Sequence, residues 1–162
     1  MVEVRGEPLL RRSTDALRDM DQTVVVGPRR DGFPGVVWVR EEPPGGGPVA
    51  ALAAGLAASR AADEDRVAVL AGDLTGVTRF TVDRLGAAIG DAEGAVLVDA
   101  DGRRQWLIGM WQVGRLRSVL PDDPAGASLR RTLGGLRVVE LPALPGEDSD
   151  VDTPDDLDRA RD

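Results

Sequence analysis

The sequence predicts an α/β fold of three layers, with helices on both faces of a mostly parallel sheet. Two observations carry this. Short apolar runs rich in β-branched residues alternate with segments of helical periodicity, and Gly- and Pro-rich loops separate them without any internal repeat. At 162 residues and 42% hydrophobic content, one domain with a real core is expected over residues 1–162.

Taken in order, Leu9, Leu10, Ala16, Leu17 and Met20 recur at helical spacing, which predicts a helix from Pro8 to Met20 with proline in its first turn. Thr23 to Val26, ended by Gly27-Pro28, and Val36 to Val39 read as buried strands. Pro43 to Pro48 is a loop, and Val49 to Ala62 an alanine-rich helix. Arg66 to Leu70 is a strand, Ala71 to Gly76 a loop, and Thr78 to Ile89 a helix. Ala95 to Val98 is a strand, joined through the polar turn Asp99 to Arg103 to a longer strand from Gln105 to Gln112. Val113 to Leu120 and Ser128 to Leu133 read as helices, Leu136 to Glu140 as the last strand, and Pro154 to Arg161 as a closing helix capped by Thr153.

Composition excludes much chemistry. The chain has no cysteine and no histidine, which removes thiolate and imidazole metal sites and the usual nucleophile–imidazole pairs. Carboxylates, arginines, hydroxyls and backbone amides remain, a donor set suited to oxygen-ligated cations such as Mg2+. A net charge of -8 disfavours coating nucleic acid. No apolar run is long enough for a membrane span, so the expected location is the cytoplasm.

Four constellations are candidates for function. Asp73 stands just past a buried strand, where ligands of open parallel sheets collect; it reads as a metal ligand or as the cap of the next turn. Gly45-Gly46-Gly47-Pro48 leads into a helix whose first amides can receive an anion or a base edge, although such a Gly/Pro cluster is more often a connecting loop. Asp150 and Asp152, on one side of an extended stretch with Val151 inward, either complete a metal site or complement the dipole of the helix that follows. Arg103 and Gln105 either face a phosphorylated second substrate or belong to a solvated hairpin turn.

Gly6-Glu7-Pro8-Leu9-Leu10, Val24-Val25-Val26-Gly27, Gly46-Gly47-Pro48, Ala71-Gly72-Asp73-Leu74 and Asp150-Val151-Asp152-Thr153-Pro154, in that order, resemble the MobA-like nucleotidyltransferases over nearly the whole chain. The resemblance implies a Rossmann-like nucleotidyltransferase sheet and transfer of GMP from GTP to the terminal phosphate of molybdopterin, with release of pyrophosphate. It implies Mg2+ on Asp73, with Asp152 or Asp150 across the site, and Gly46 and Gly47 beside the nucleotide. Related cytidylyltransferases carry similar acidic motifs, so CTP is the alternative nucleotide. A nucleotidyltransferase for another small metabolite and a non-catalytic nucleotide-binding or regulatory module are the competing functions.

Two departures from the family stand out. Leu74 is followed by Thr75-Gly76 where the family has proline and a bulky apolar residue, a change expected to loosen the turn after Asp73. The glycine-rich phosphate loop with which the family opens, and the first strand before it, have no counterpart, Met1 to Val4 matching the stretch after them. That strand belongs between those matching Thr23 to Val26 and Arg66 to Leu70. The expected consequence is poor stability, rearrangement, or completion by another polypeptide or a second copy.

Overall fold

The computed structural model describes residues 3–4 and 7–149. Its elements begin with a two-residue pair that sequence periodicity does not signal, β1 (Glu3–Val4) antiparallel to β2 (Glu7–Pro8). Helix α1 (Leu9–Ala16) is followed by β3 (Thr23–Val26), β4 (Val36–Val39), α2 (Pro48–Ala58), β5 (Arg66–Leu70) and α3 (Arg79–Ala88). Then come β6 (Gly94–Val98), β7 (Arg104–Gln112), α4 (Val113–Val119), α5 (Leu129–Leu133) and β8 (Val138–Pro142). The predicted helix from Pro154 lies outside the described residues.

Apolar runs place the strands well, while several element ends differ from expectation for local reasons. Helix α1 stops at Ala16 rather than Met20, because Leu17 and Arg18 donate to Thr14 and Asp15, three residues back, and tighten the chain into a turn. Helix α2 stops at Ala58 rather than Ala62, where the Ser59 amide closes onto the Gly55 and Leu56 carbonyls. The last strand starts at Val138, not Leu136, because the Leu136 amide bonds to Leu133 in the turn that ends α5.

The α/β class and its Rossmann-like character are as expected. Parallel ladders join β3 to β4 and β6 to β8. Strand β7 is the antiparallel member of a four-stranded sheet ordered β5-β7-β6-β8. The connection from β6 is too short for a crossover, so β7 must reverse. Against β5, Val113 donates to Asp65 and Ala71 to Leu107, pairs that run in opposite senses. Among the described residues β3 ladders only with β4, and β5 only with β7.

The chain forms two compact units, each drawn from separated segments. The first takes its described residues from Met1–Asp19, Ala68–Met110 and Val138–Asp162. Its core gathers Ala16, Leu74, Val77, Ala95, Leu97, Ile108 and Met110 around Val82, Leu85 and Ile89, the last three spaced along one face of α3 and its end. The second unit comprises Met20–Val67 and Trp111–Arg137. Val49, Leu52 and Leu56 of α2 are buried there, as are Trp111, Val113, Leu116 and Leu133. Gly55 brings α2 close to β3: a Cβ at that position would lie 3.2 Å from Val26 Cγ2.

Candidate functional site

In the first unit, β5, β6 and β8 run in the same direction, so their carboxyl ends share one end of the sheet. Three turns emerge there: 71–78 after β5, 99–103 after β6 and 143–149 after β8. Ligand sites of open α/β sheets form at such ends.

The turn after β5 is held from several directions. Ala71 continues the ladder, its amide donating to Leu107 O at 2.9 Å, while its carbonyl accepts from Ser13 Oγ at 2.8 Å. Leu74 and Val77 drop into the core at 3% and 4% exposure. Arg12 Nη1 donates to Thr75 O at 2.6 Å. Asp73 lies between these anchors, exposed, and its carboxylate has no hydrogen-bond or ion-pair partner among the described residues. Nothing within the described structure uses Asp73 as a cap.

The turn after β8 is bound to the turn after β5. The Thr75 amide and its Oγ1 both donate to Ser149 O, at 2.9 and 3.1 Å. At Gly76 a Cβ would overlap the Gly146 carbonyl group, so only glycine permits this approach. Gly146 itself has φ 87°, a left-handed conformation that favours glycine. The expected loosening therefore does not occur. Thr75-Gly76 tightens the turn through an amide that proline lacks and through the absence of a side chain at position 76.

Beneath these turns sits a buried carboxylate that sequence reasoning missed. Glu147 is 5% exposed. Its Oε1 accepts from Thr81 Oγ1 at 2.7 Å, and Oε2 accepts from the Leu144 amide at 2.8 Å and Arg84 Nη1 at 2.7 Å. Burial pushes its carboxyl pKa up, but the Leu144, Thr81 and Arg84 donors together outweigh burial and hold it below the ordinary range. Arg84 Nη2 also donates to Pro142 O at 2.9 Å, tying α3 to the end of β8. An acidic stretch such as Pro145-Gly146-Glu147-Asp148 reads as solvated; only the remote Thr81 and Arg84 reveal otherwise.

Arg103 and Gln105 are organised by the hairpin. Asp99 Oδ1 accepts from the Asp101 and Arg103 amides at 2.9 and 2.8 Å, and Asp99 Oδ2 accepts from Gln105 Nε2 at 2.9 Å. The Arg103 guanidinium is exposed, 3.5 Å from Asp101. Both residues lie at the Asp73 end of the sheet, with the side-chain amide of Gln105 engaged by Asp99.

Gly46 and Gly47 belong to the second unit. Gly46 is buried, its amide donating to Pro43 O at 2.9 Å and its carbonyl accepting from Gly126 at 2.8 Å. Its Cβ would stand 2.9 Å from Ala50 Cβ, so the position is closed to a larger residue. Gly47 caps α2 with φ 90°, ahead of Pro48 in the first turn. The Gly45 amide is held by Glu41 Oε1 at 2.9 Å, a bond that lowers the Glu41 pKa. Gly46 is thus a packing residue, whereas Gly47 sets the geometry of a helix N-terminus.

Asp150 and Asp152 lie outside the described residues. Among the described residues no group of three or more acidic side chains gathers as a metal cage. The chemistry of the donors fits a divalent cation in another way. Mg2+ is commonly held by one or two carboxylates together with water and substrate phosphates, and the unpaired, anchored Asp73 carboxylate supplies such a ligand. No helix among the described residues is long and apolar enough to cross a membrane.

Known structures share this architecture. A 2-C-methyl-D-erythritol 4-phosphate cytidylyltransferase from Thermus thermophilus superposes with TM-score 0.72 at 20% identity, over 99% of this chain and 90% of that one. The molybdopterin-guanine dinucleotide biosynthesis protein A of Archaeoglobus fulgidus gives 0.69 at 18%, over 99% and 87%. A Mycobacterium tuberculosis protein solved as a complex with manganese gives 0.71 at 21%, over 99% and 90%. At these identities the likeness is one of fold. No curated protein sequence matches the chain. The sequence-level match is to a family, the MobA-like NTP transferase domain, and it covers residues 1–139. With most of its length matched, this chain belongs to the MobA-like NTP transferase family of nucleotidyltransferases.

Proposed function

We propose that the chain serves transfer of GMP from GTP to the terminal phosphate of molybdopterin, in the cytoplasm, with Mg2+ held by Asp73 and by Asp150 or Asp152. The observation that carries this reading is the Asp73 carboxylate, exposed and unpaired at the carboxyl end of β5 on a turn fixed by Ser13, Arg12 and Ser149. In the reaction an acceptor phosphate oxygen bonds to the α-phosphorus of GTP as the bond to the β-phosphate oxygen breaks, and pyrophosphate leaves. A bound divalent cation supplies charge neutralisation of the triphosphate. The chain's own contribution is positioning: Asp73 is held by its anchored backbone, and Arg103 offers an exposed guanidinium to the acceptor phosphate.

CTP is the second reading, supported by the cytidylyltransferases among the structural relatives. Calorimetric titration with GTP and CTP, each with Mg2+, followed by product analysis with molybdopterin and with methylerythritol phosphate, separates them. GMP transfer to molybdopterin is the expected result; CMP transfer to the sugar phosphate, or no nucleotide binding, removes the first reading.

The same proposal includes a completing strand, from another polypeptide or a second copy. What supports it is that, among the described residues, β3 and β5 each ladder on one side only, although Val24, Val25 and Val26 form the continuous apolar run typical of strands buried on both faces. Sedimentation at several concentrations tests it. A monomer of full stability that binds nucleotide-Mg tightly would remove this part.

A further inference from the structure

We propose that Thr75 and Gly76 are positioning residues for the metal, acting by clasping the Asp73 turn to the 146–149 turn. This rests on the reading of Asp73 as a ligand and adds which residues set its place.

The clasp has three independent parts. Ser149 O receives two donors from one residue, the Thr75 amide and Thr75 Oγ1. The missing side chain of Gly76 lets the Gly146 carbonyl close in. The left-handed Gly146, followed by Glu147 with its amide on Leu144 O at 3.0 Å, turns the chain so that Ser149 arrives at Thr75. Both turns are anchored from beneath, by Leu74 and Val77 on one side and by Glu147 on the other. Asp73 stands two residues before Thr75, and Asp150 follows Ser149 directly in sequence. The bonds between Thr75 and Ser149 therefore fix the turn that carries Asp73 to the turn after β8. Loosening them leaves the Asp73 carboxylate intact but lets its turn move, which weakens a bound cation more than it weakens the fold.

The test uses Mn2+ with GTP as the probe, read by electron paramagnetic resonance as free against bound metal. Gly76→Ala forces the Gly146 carbonyl away, and about tenfold weaker Mn2+ affinity is expected, in the range seen when outer-shell partners of metal sites are removed. Thr75→Val keeps the amide and removes only the hydroxyl donor, so a smaller loss, about threefold, is expected and the test survives if Gly76→Ala fails to fold. Leu116→Ala, a core truncation in the second unit, lowers the melting temperature but should leave the Mn2+ affinity within about twofold of wild type if the clasp is specific. Full Mn2+ affinity in both folded clasp variants, or an equal loss in Leu116→Ala, overturns the clasp while leaving the metal site standing. A wild-type protein with no GTP-dependent Mn2+ site overturns the proposed function and the clasp together.

Discussion

Replacing Glu147 by glutamine removes one charge from a buried position without changing its shape. The carboxylate accepts three hydrogen bonds, from Thr81, Arg84 and the Leu144 amide. A glutamine can keep its one acceptor oxygen towards Leu144 and Arg84 and turn its N–H2 group to Thr81, whose hydroxyl can accept, so the bonds survive only as weaker, uncharged ones and Arg84 loses its counter-charge. Bonds to a charged group contribute about 1.5–3 kcal/mol each. The Arg84 side chain is 20% exposed and recovers part of its hydration, so the net loss is less than the sum of the bonds. A loss of about 2 kcal/mol is expected at pH 7, corresponding to about 4–8 °C in melting temperature for a chain of this size.

The pH dependence supplies a second signature. The folded-state pKa of Glu147 is depressed, so its contribution is fully present above the unfolded value of about 4.3 and declines as the pH falls through the folded value. Glutamine does not titrate. The gap between the wild type and Glu147→Gln, followed by circular dichroism melts, should therefore be widest near neutrality and narrow progressively below about pH 4. A gap that is constant down to about pH 3, or a variant as stable as the wild type at pH 7, refutes the account of Glu147 as a charged tie between α3 and the turn after β8.

Three further outcomes are expected. Asp73→Asn should abolish magnesium-dependent GTP binding in calorimetry while shifting the melting temperature by no more than about 1 °C, because the carboxylate is exposed and supports nothing else among the described residues. Gly46→Ala pushes a methyl against Ala50 Cβ and Pro43 O and should cost about 1–3 kcal/mol in urea unfolding. Gly86→Ala, inside α3, meets only Met110 Cε at 3.6 Å, an ordinary contact, and should stabilise by about 0.5–1 kcal/mol in the same assay.

Much of the fold is legible in the sequence because strands leave a plain mark. Val24 to Val26, Val36 to Val39 and Val67 to Leu70 are apolar runs, and each falls within a strand. The same clarity places Asp73 at the end of β5. Helix ends are less legible, since Leu17 and Met20 continue the helical spacing while backbone bonds to Thr14 and Asp15 have already ended α1. Leu136 reads as part of β8 because it is apolar, although it is buried at 8% exposure in the turn leaving α5.

Within the candidate site, what the sequence hides is long-range. Thr75-Gly76 is visible as a departure from the family, but whether it loosens or tightens depends on Gly146 and Ser149, remote in sequence. Glu147 carries no local signal at all, because a carboxylate in an acidic stretch looks the same whether it faces water or Arg84. The Arg103–Gln105 turn, by contrast, has its Asp99 pin close by in the chain.

The interleaving of the two units bears on how the chain is made. Neither unit is a continuous stretch of sequence, since the first resumes at Ala68 and again at Val138, and the second resumes at Trp111. A ribosome delivering the chain from its N-terminus cannot release a finished half. The core around Val82, Leu85 and Ile89 must wait for the strand that begins at Val138, whose Val139 and Leu141 pack against it. Contacts this distant in sequence slow folding and prolong the exposure of apolar strands, compared with a protein of the same length built from consecutive hairpins.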